Sequence, residues 1–267
     1  MRDFIVANER FIRPVMFLGV LAVMAVLEVM LPRRGRSQGR ATRWTGNLGV
    51  VVIANVLARL LLPVTVVGAA LLAEARGIGL LRMLDVPYWA AVVISVILLD
   101  LVVYWQHVIF HHVPMLWRLH RMHHADLDFD ATTGIRFHPL EILVSIVVKA
   151  GVVVIVGVPA VGVVIFEVLL NASAMFNHSN TKLPLGLDRV LRRVLVTPDM
   201  HRVHHSVIPE ETHSNFGFCL PWWDWMFSTY QDQPAAGHER MTIGLPILRD
   251  PEELRLDHLL TQPWRES

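Results

Sequence analysis

Histidines at helical spacing are the residues of this sequence with the most specific chemistry. Of 14 histidines in 267 residues, eight fall into three sets with spacings of three or four residues, which place side chains on one face of a helix. The sets are His107 and His111; His120, His123 and His124; and His201, His204 and His205. Imidazole is a common ligand of zinc, copper and iron. A tetrahedral zinc ion takes four ligands, so eight or more imidazole nitrogens predict two metal ions with four or five nitrogens each.

Four further residues are assigned to the predicted site. His178 follows the last apolar stretch, where the chain returns to the level of the three sets, and is the ninth predicted ligand. His138 either binds metal or holds a ligand ring in place, and the second role is favoured. Asp100 and Asn180 are predicted to act in the same supporting way.

The remaining histidines are left outside the predicted site. His112 is offset by one position from the face that its neighbours share, and His213 is undecided. His238 and His258 stand alone in the sequence and are expected to be solvated surface residues.

Apolar stretches must position these histidines. Hydrophobic residues make up 54% of the chain and charged residues 18%, against about 25% charged in soluble domains. Four stretches are long enough to cross a bilayer as helices, which takes about 20 apolar residues: 14–31, 44–73, 88–106 and 142–176. The fourth has Gly157 and Pro159 near its middle and is predicted to be a hairpin of two spans. We therefore predict an all-α membrane bundle with a helical cap that carries the histidines; buried helices of a soluble protein would need an implausibly large core.

Charge sets the expected orientation in the membrane. The 33–43 loop has five arginines and no acidic residue, so the positive-inside rule places it in the cytoplasm. Counting spans from this loop puts all three histidine sets on the cytoplasmic side. The first stretch also has a basic start, as in a signal peptide, but its length and the Pro-Arg-Arg that follows favour a retained span. All but two of the 24 basic residues are arginine, which is typical of GC-rich bacterial genomes, so we expect a multi-pass protein of a bacterial inner membrane.

Composition excludes other classes of protein. The one cysteine, Cys219, rules out a disulfide framework and a multi-cysteine metal site. A net charge of +1 gives no indication of nucleic-acid binding. Four ionisable residues lie within the apolar stretches and are expected to pair with one another between helices: Arg59, Asp100, Lys149 and Glu167. Trp222, Trp223 and Trp225 are expected either to form part of an interfacial belt or to pack the cap.

The order of the histidine sets resembles that of the fatty acid hydroxylase and sterol desaturase superfamily of membrane oxygenases. The resemblance extends beyond the ligands to Asp100, Tyr104 and Trp105 before the first set; Arg136, His138 and Pro139 before the hairpin; Asn-Phe-Gly at 215–217; and Trp223, Asp224, Phe227 and Thr229. It covers about residues 95–230, which we expect to be a catalytic domain between an N-terminal transmembrane region (1–94) and a C-terminal cytoplasmic tail (231–267). Some members have a further histidine four residues before the position of His178, where this chain has Ala174. One of the two metals is therefore expected to have fewer protein ligands.

The resemblance implies a di-iron enzyme that uses O2 to hydroxylate or desaturate a lipid such as a sterol or a fatty acyl chain. Zinc is not redox-active, but it is expected to replace iron in isolated protein because it binds the same ligands more tightly. The sequence has no His-Pro-Gly-Gly haem motif, so electrons are expected from another protein, a ferredoxin or a cytochrome with its reductase. The bilayer is the expected source of the lipid.

Three other functions are considered. A membrane zinc metallohydrolase is the main alternative; it would need a carboxylate general base, and Asp126 and Asp199 are the acids nearest to the histidine triplets. A membrane cytochrome would place histidine pairs within its spans, and a metal transporter would place ligands near the middle of the membrane. The histidines here cluster at one end of the spans, which favours the oxygenase.

Overall fold

The structure, a computed structural model, describes residues 2–265. This part of the chain is helical, and its extended pairing is confined to two isolated bridges, Pro32 with Thr181 and Ser206 with Ile243. The α-helices are α1 (Arg2–Ala7), α2 (Glu9–Met30), α3 (Arg40–Leu61), α4 (Val66–Arg76), α5 (Leu80–Met83), α6 (Tyr88–His112), α7 (Pro114–His124), α8 (Pro139–Val156), α9 (Ala160–Asn177), α10 (Leu185–Leu191), α11 (Pro198–His204), α12 (Pro209–Thr212), α13 (Trp222–Met226) and α14 (Leu256–Thr261). Short 3-10 turns lie at Thr133–Ile135, Pro251–Leu254 and Gln262–Trp264. The predicted all-α class is confirmed.

Five segments are long and apolar enough to cross a membrane: Glu9–Met30, Arg40–Met83, Tyr88–His112, Pro139–Val156 and Ala160–Asn177. The predicted hairpin is confirmed, because α8 is followed by Gly157, whose φ of 75° is left-handed, and α9 begins three residues later. A Cβ atom on Gly79 would lie 2.1 Å from the Cα of Gly157. The loop that begins α5 therefore packs backbone to backbone on the hairpin tip at one end of the bundle.

The second apolar stretch is two main helices rather than one. Helix α3 ends at Leu61, before Pro63, because proline lacks an N–H and disfavours helical geometry in the residue that precedes it. Thr65 then caps α4 by accepting a hydrogen bond from the N–H of Gly68 at 3.0 Å. Helix α4 packs its buried face on α8 and α9.

The loop between α2 and α3 lies at the same end of the bundle as the histidines. The Arg33 N–H donates to the carbonyl of Asn180 and the Lys182 N–H donates to that of Leu31, both over 2.7 Å. Arg43, at the start of α3, donates to both carboxylate oxygens of Asp126 at 2.8 Å. Burial raises the pKa of Asp126, but the guanidinium groups of Arg43 and Arg136 outweigh it and hold that pKa well below its ordinary value. This charged layer joins the spans to the cap.

Some of the ionisable residues within the spans pair between helices as expected, and others do not. Glu167 on α9 forms an ion pair with Arg13 at 2.9 Å. Lys149 on α8 is buried and interacts electrostatically with the Glu167 carboxylate. Asp100 is buried and accepts hydrogen bonds from N–H groups of the cap instead of pairing with a cation. For Arg59 the expectation is wrong: its side chain is exposed on α3 and has no ion pair within residues 2–265. Its position two residues from the end of α3 allows the guanidinium to extend toward the interface.

The C-terminal segment packs on the bundle next to the cap. Arg121 Nη2 on α7 donates to the carbonyls of Gln262 and Arg265 at 2.5 and 2.7 Å. A Cβ atom on Gly46 of α3 would lie 2.5 Å from the carbonyl oxygen of Leu254. The segment thus covers one side of α3 and α7.

Candidate metal centre

The nine predicted ligands come together in two groups, all of them buried. The five-histidine group contains His107, His111, His120, His124 and His204. The four-histidine group contains His123, His178, His201 and His205. Within each group the candidate ligand nitrogens lie within 4.8 Å of one another. His178, which lies four residues after Ala174, belongs to the group with fewer histidines.

Helix geometry explains how the sequence is divided between the groups. His107 and His111 lie one turn apart at the end of α6, and His178 directly follows α9. Helices α7 and α11 each serve both groups, because consecutive residues point about 100° apart on a helix. On α7, His120 and His124 face the five-histidine group while His123 faces the other. These two short helices therefore hold the groups side by side.

Four of the rings are oriented by hydrogen bonds from Nδ1. His107 donates to the carbonyl of Phe216 at 2.8 Å, His204 to that of Ser214 at 2.7 Å, and His178 to that of Ala174 at 2.8 Å. His120 donates to Oε1 of Glu141 at 2.7 Å. A metal-binding histidine usually donates its other ring nitrogen in this way. Each bond leaves Nε2 as the free ligand atom.

The Nε2 atoms point at one another at distances that a shared metal ion explains. Those of His107 and His204 are 3.0 Å apart. The Nε2 of His178 lies 3.1 Å from that of His123, 3.1 Å from that of His201 and 3.2 Å from that of His205. Nitrogens bound about 2.1 Å from one metal are roughly 3.0 Å apart at a right angle and roughly 3.4 Å apart in a tetrahedron. Unprotonated nitrogens this close repel one another unless a cation lies between them.

Buried ring nitrogens without hydrogen-bond partners also indicate a metal site. Both ring nitrogens of His111, and Nε2 of His120 and of His124, have no hydrogen-bond partner among the described residues. A buried polar atom without a hydrogen-bond partner is costly, and binding to a metal ion would satisfy it. The donor set of the two groups therefore fits bound metal ions.

Electrostatics keeps the cap histidines neutral, which is the form that binds metal. Burial, reinforced by the neighbouring imidazoles, lowers the pKa of His123, His124, His201 and His205 well below the ordinary value. For His204 burial also lowers the pKa well below that value, against the hydrogen bond to the Ser214 carbonyl. Burial lowers the pKa of His178 to about 3. A shared proton between these rings is thus disfavoured, and a metal cation is the better partner.

The three predicted supporting residues make their hydrogen bonds elsewhere. His138 caps α8 through Nδ1, and its Nε2 is 3.2 Å from the carbonyl of Leu260. The side chain of Asn180 bonds the backbone of Arg34. Asp100 accepts from the N–H groups of the turn at residues 219 and 220 and from the Trp223 indole. Each of them holds a loop of the cap in place.

Sequence reasoning missed the residues that orient the rings. Glu141 stood three residues after His138, and a carboxylate so close to a histidine motif is a usable signal for such a role. The carbonyls of Phe216 and Ser214 left no signal, because any residue type supplies a carbonyl. Phe137 and Phe129 also went unnoticed; their rings stack on His123 and His178 at centroid distances of 4.4 and 5.4 Å.

The sequence-motif residues of the 215–229 loop hold that loop in its shape. Asp224 accepts from the N–H of Phe216 at 2.8 Å and from that of Gly217 at 2.9 Å. A Cβ atom on Gly217 would lie 2.7 Å from the Asp224 carboxylate, so only glycine fits. Asn215, at a left-handed φ of 50°, donates to the carbonyls of Met200 and Gln231. Together they present the Phe216 carbonyl to His107.

The remaining histidines take different positions. His112 is exposed, and its ring lies 5.1 Å from that of His213, which in turn lies 5.6 Å from His111 at the edge of the five-histidine group. His258 is partly exposed. The expectation for His238 is wrong: it is buried, 3.7 Å from the carboxylate of Asp199.

Comparisons with known proteins match the part of the chain that carries the histidines. A family model described as fatty acid hydroxylase matches residues 92–229. Ornithine lipid hydroxylase OlsE of Rhizobium tropici is 26% identical over 148 residues, which are 55% of this chain and 44% of that protein. Human alkylglycerol monooxygenase is 27% identical over 191 residues, 67% of this chain and 40% of the relative. Very-long-chain aldehyde decarbonylase GL1-6 of Oryza sativa subsp. japonica is 26% identical over 195 residues, which are 66% of this chain and 29% of that protein.

The matched region spans less than half the length of each of these relatives. No solved structure was found to match the chain.

Proposed function

The chain belongs to the fatty acid hydroxylase family, and on that basis we propose that it oxidises a membrane lipid with O2 at a centre of two iron ions. The observation that carries the proposal is the approach of the Nε2 atoms of His107 and His204 to 3.0 Å, although both rings donate through Nδ1. Both rings belong to a buried group made of histidine alone.

In this proposal the five-histidine group holds one metal ion and the four-histidine group holds the other. Iron bound there would supply the activation of O2 and the attack on an unactivated C–H bond, chemistry that side chains do not provide. Zinc found in isolated protein would not contradict this assignment, because zinc binds the same ligands more tightly than Fe(II) does.

The chain's own residues prepare the centre for this chemistry. The carbonyls of Phe216 and Ser214 and the carboxylate of Glu141 fix ring orientations before any metal binds, which lowers the cost of assembling the site. The rings of Phe129 and Phe137 pack against the four-histidine group and exclude water from it. A dry, preformed site favours controlled oxidation over side reactions.

A lipid substrate is supported by the position of the site. His107 and His178 lie at the ends of two candidate spans, and in this proposal a lipid approaches the centre from the bilayer side. The names of the relatives support the same class, since a hydroxylase of ornithine lipid and a monooxygenase of alkylglycerol both act on lipids. Hydroxylation and desaturation begin alike, and we propose one of the two.

The hydrolase alternative lacks a free general base. Of the carboxylates near the groups, Asp126 is bound by Arg43, and Asp199 is bound by Arg33 and Arg202. Glu141 already accepts from His120. The described residues therefore support a hydrolytic mechanism, which needs a free general base, less well than they support an oxygenase.

We also propose that the site faces the cytoplasm of a bacterial cell, with 95–230 as the catalytic domain and a ferredoxin or cytochrome as electron donor. The arginine-rich loop lies at the same end as the histidines. Cysteines introduced at Ser37 and Ala236 should both resist a membrane-impermeant thiol reagent in intact cells. Labelling of either would overturn this orientation.

Labelled O2 tests the proposed reaction. Iron-loaded protein is supplied with a reduced ferredoxin, a lipid extract and isotopically labelled O2. Hydroxylation would place the label in a lipid, and desaturation would place it in water and create a new double bond. The same product formed under strict anaerobiosis would overturn the proposal, and cleavage of a lipid without O2 or reductant would favour the hydrolase.

A further inference from the structure

Helix α10 and the turn after it bury one ion pair and expose their apolar residues beside two arginines. Asp188 and Arg192 are buried and form an ion pair with each other, and Arg192 also donates to the hydroxyl of Tyr230. Leu185 and Val190 are 75% and 60% exposed. A helix on a water-facing surface has the opposite pattern. The outer face of α10 therefore suits an apolar medium.

Helix α13 extends the same surface. Trp223 turns inward, where its indole N–H donates to Asp100 at 2.9 Å. Trp222 and Trp225 are exposed, and Met226 is 64% exposed. Two of the three tryptophans thus face outward and one packs the cap. Amphipathic aromatic side chains of this kind are enriched at membrane interfaces.

This surface is continuous with the outer face of a candidate span. The Trp222 indole donates to the carbonyl of Arg193 at 2.8 Å and so joins α13 to the segment after α10. On the other side the ring of Phe227 lies 4.8 Å from that of Trp105. Trp105 is 42% exposed on α6, a candidate span. Lipid that surrounds α6 would therefore contact the cap without a break.

The exposed charges on and just before α10 are positive, and the exposed acid beside this surface, Asp232, is paired with Arg192. Lys182, Arg189 and Arg193 are exposed. Asp188, the one acidic residue between 182 and 195, is buried and paired. Basic residues beside an apolar face attract anionic lipid headgroups.

We propose that residues 185–195 and 222–227, here named the cap surface, lie in the headgroup region of an anionic bilayer leaflet. The cap surface lies flat on the leaflet at the histidine end of the spans. It holds the cap against the membrane. The inference rests on the five candidate spans and not on the proposed reaction, so failure of either leaves the other standing.

Spin labels on the full chain test the cap surface. Single cysteines at Val190 and Met226 carry the label, and a cysteine at Ala236, exposed elsewhere on the cap, is the matched control. Cys219 is buried, and labelling of the unaltered chain measures its background. The protein is reconstituted in vesicles of phosphatidylcholine with or without phosphatidylglycerol, and the accessibility of each label to oxygen and to a nickel chelate is measured.

The labels at 190 and 226 should be accessible to oxygen and shielded from nickel, at a depth of about 5–10 Å into the boundary between headgroups and acyl chains, while the label at 236 meets nickel freely. Phosphatidylglycerol should deepen the label at 190, and the double variant Arg189→Glu, Arg193→Glu should lose that shift. Nickel access at 190 equal to that at 236 would overturn the proposal. Shielding from both reagents would overturn it in favour of a second copy of the chain.

Discussion

Glu141 accepts the Nδ1 proton of His120 over 2.7 Å, between the first turn of α8 and the second histidine set on α7. The bond fixes the tautomer of His120 and aims its Nε2, which has no other partner among residues 2–265, into the five-histidine group. It is the one carboxylate hydrogen bond found on the nine candidate ligands in the described chain.

Removal of this carboxylate should weaken metal binding. We expect Glu141→Ala to lower metal affinity or turnover on the order of 10–100-fold, the usual cost of losing such a partner. Glu141→Gln keeps an acceptor and should lose much less. Metal affinity is measured by competition with a chelator; equal losses in the two variants would contradict the orienting role.

Loss of any one ligand should abolish turnover, because ligands that act as a unit have strongly non-additive effects. We expect His107→Ala, His124→Ala and His205→Ala each to stop lipid oxidation while the chain still inserts into membranes. The double variant of His107 and His205 should be no worse than either single one. Turnover that survives in any single variant would remove that histidine from the ligand set.

Gly217 should tolerate no side chain. In Gly217→Ala the new Cβ would lie 2.7 Å from the Asp224 carboxylate and 2.9 Å from the carbonyl of Leu220. We expect a lower unfolding temperature and weaker metal binding, because the same loop presents the Phe216 carbonyl to His107. Gly186→Ala is the control, since nothing lies within 4 Å of its added Cβ. Equal unfolding temperatures for the two variants would contradict this role for the loop.

Acid should destabilise the fold in part through His238. Burial lowers its pKa from 6.5 to about 4, so the unfolded chain binds a proton before the folded chain does. Stability is therefore full above pH 6.5 and falls as the pH drops toward 4. We expect the unfolding midpoint to fall less between pH 7 and pH 5 in His238→Gln than in the unaltered chain; equal falls would show that His238 does not contribute.

The sequence named the nine candidate ligands from helical spacing and, for His178, from topology, but it did not show how they divide. Each triplet, expected to share one face, is split between the two groups because consecutive residues on a helix point about 100° apart. The sequence also predicted the hairpin, since glycine and proline together end a helix. It missed the Phe216 and Ser214 carbonyls because their positions depend on how the loop folds across α6 and α11. The burial of His238 was missed for a similar reason, since tertiary packing against Asp199 leaves no local pattern.

The metal content of the purified chain is the decisive measurement for the proposed two-metal centre. Protein grown with iron and purified without chelator is analysed by mass spectrometry of the metals, beside His204→Ala and the control His258→Ala. We expect close to two metal ions per chain in the unaltered protein and in His258→Ala, and a clear loss in His204→Ala. One ion or none in the unaltered chain, or two firmly bound ions in His204→Ala, would contradict the proposed centre.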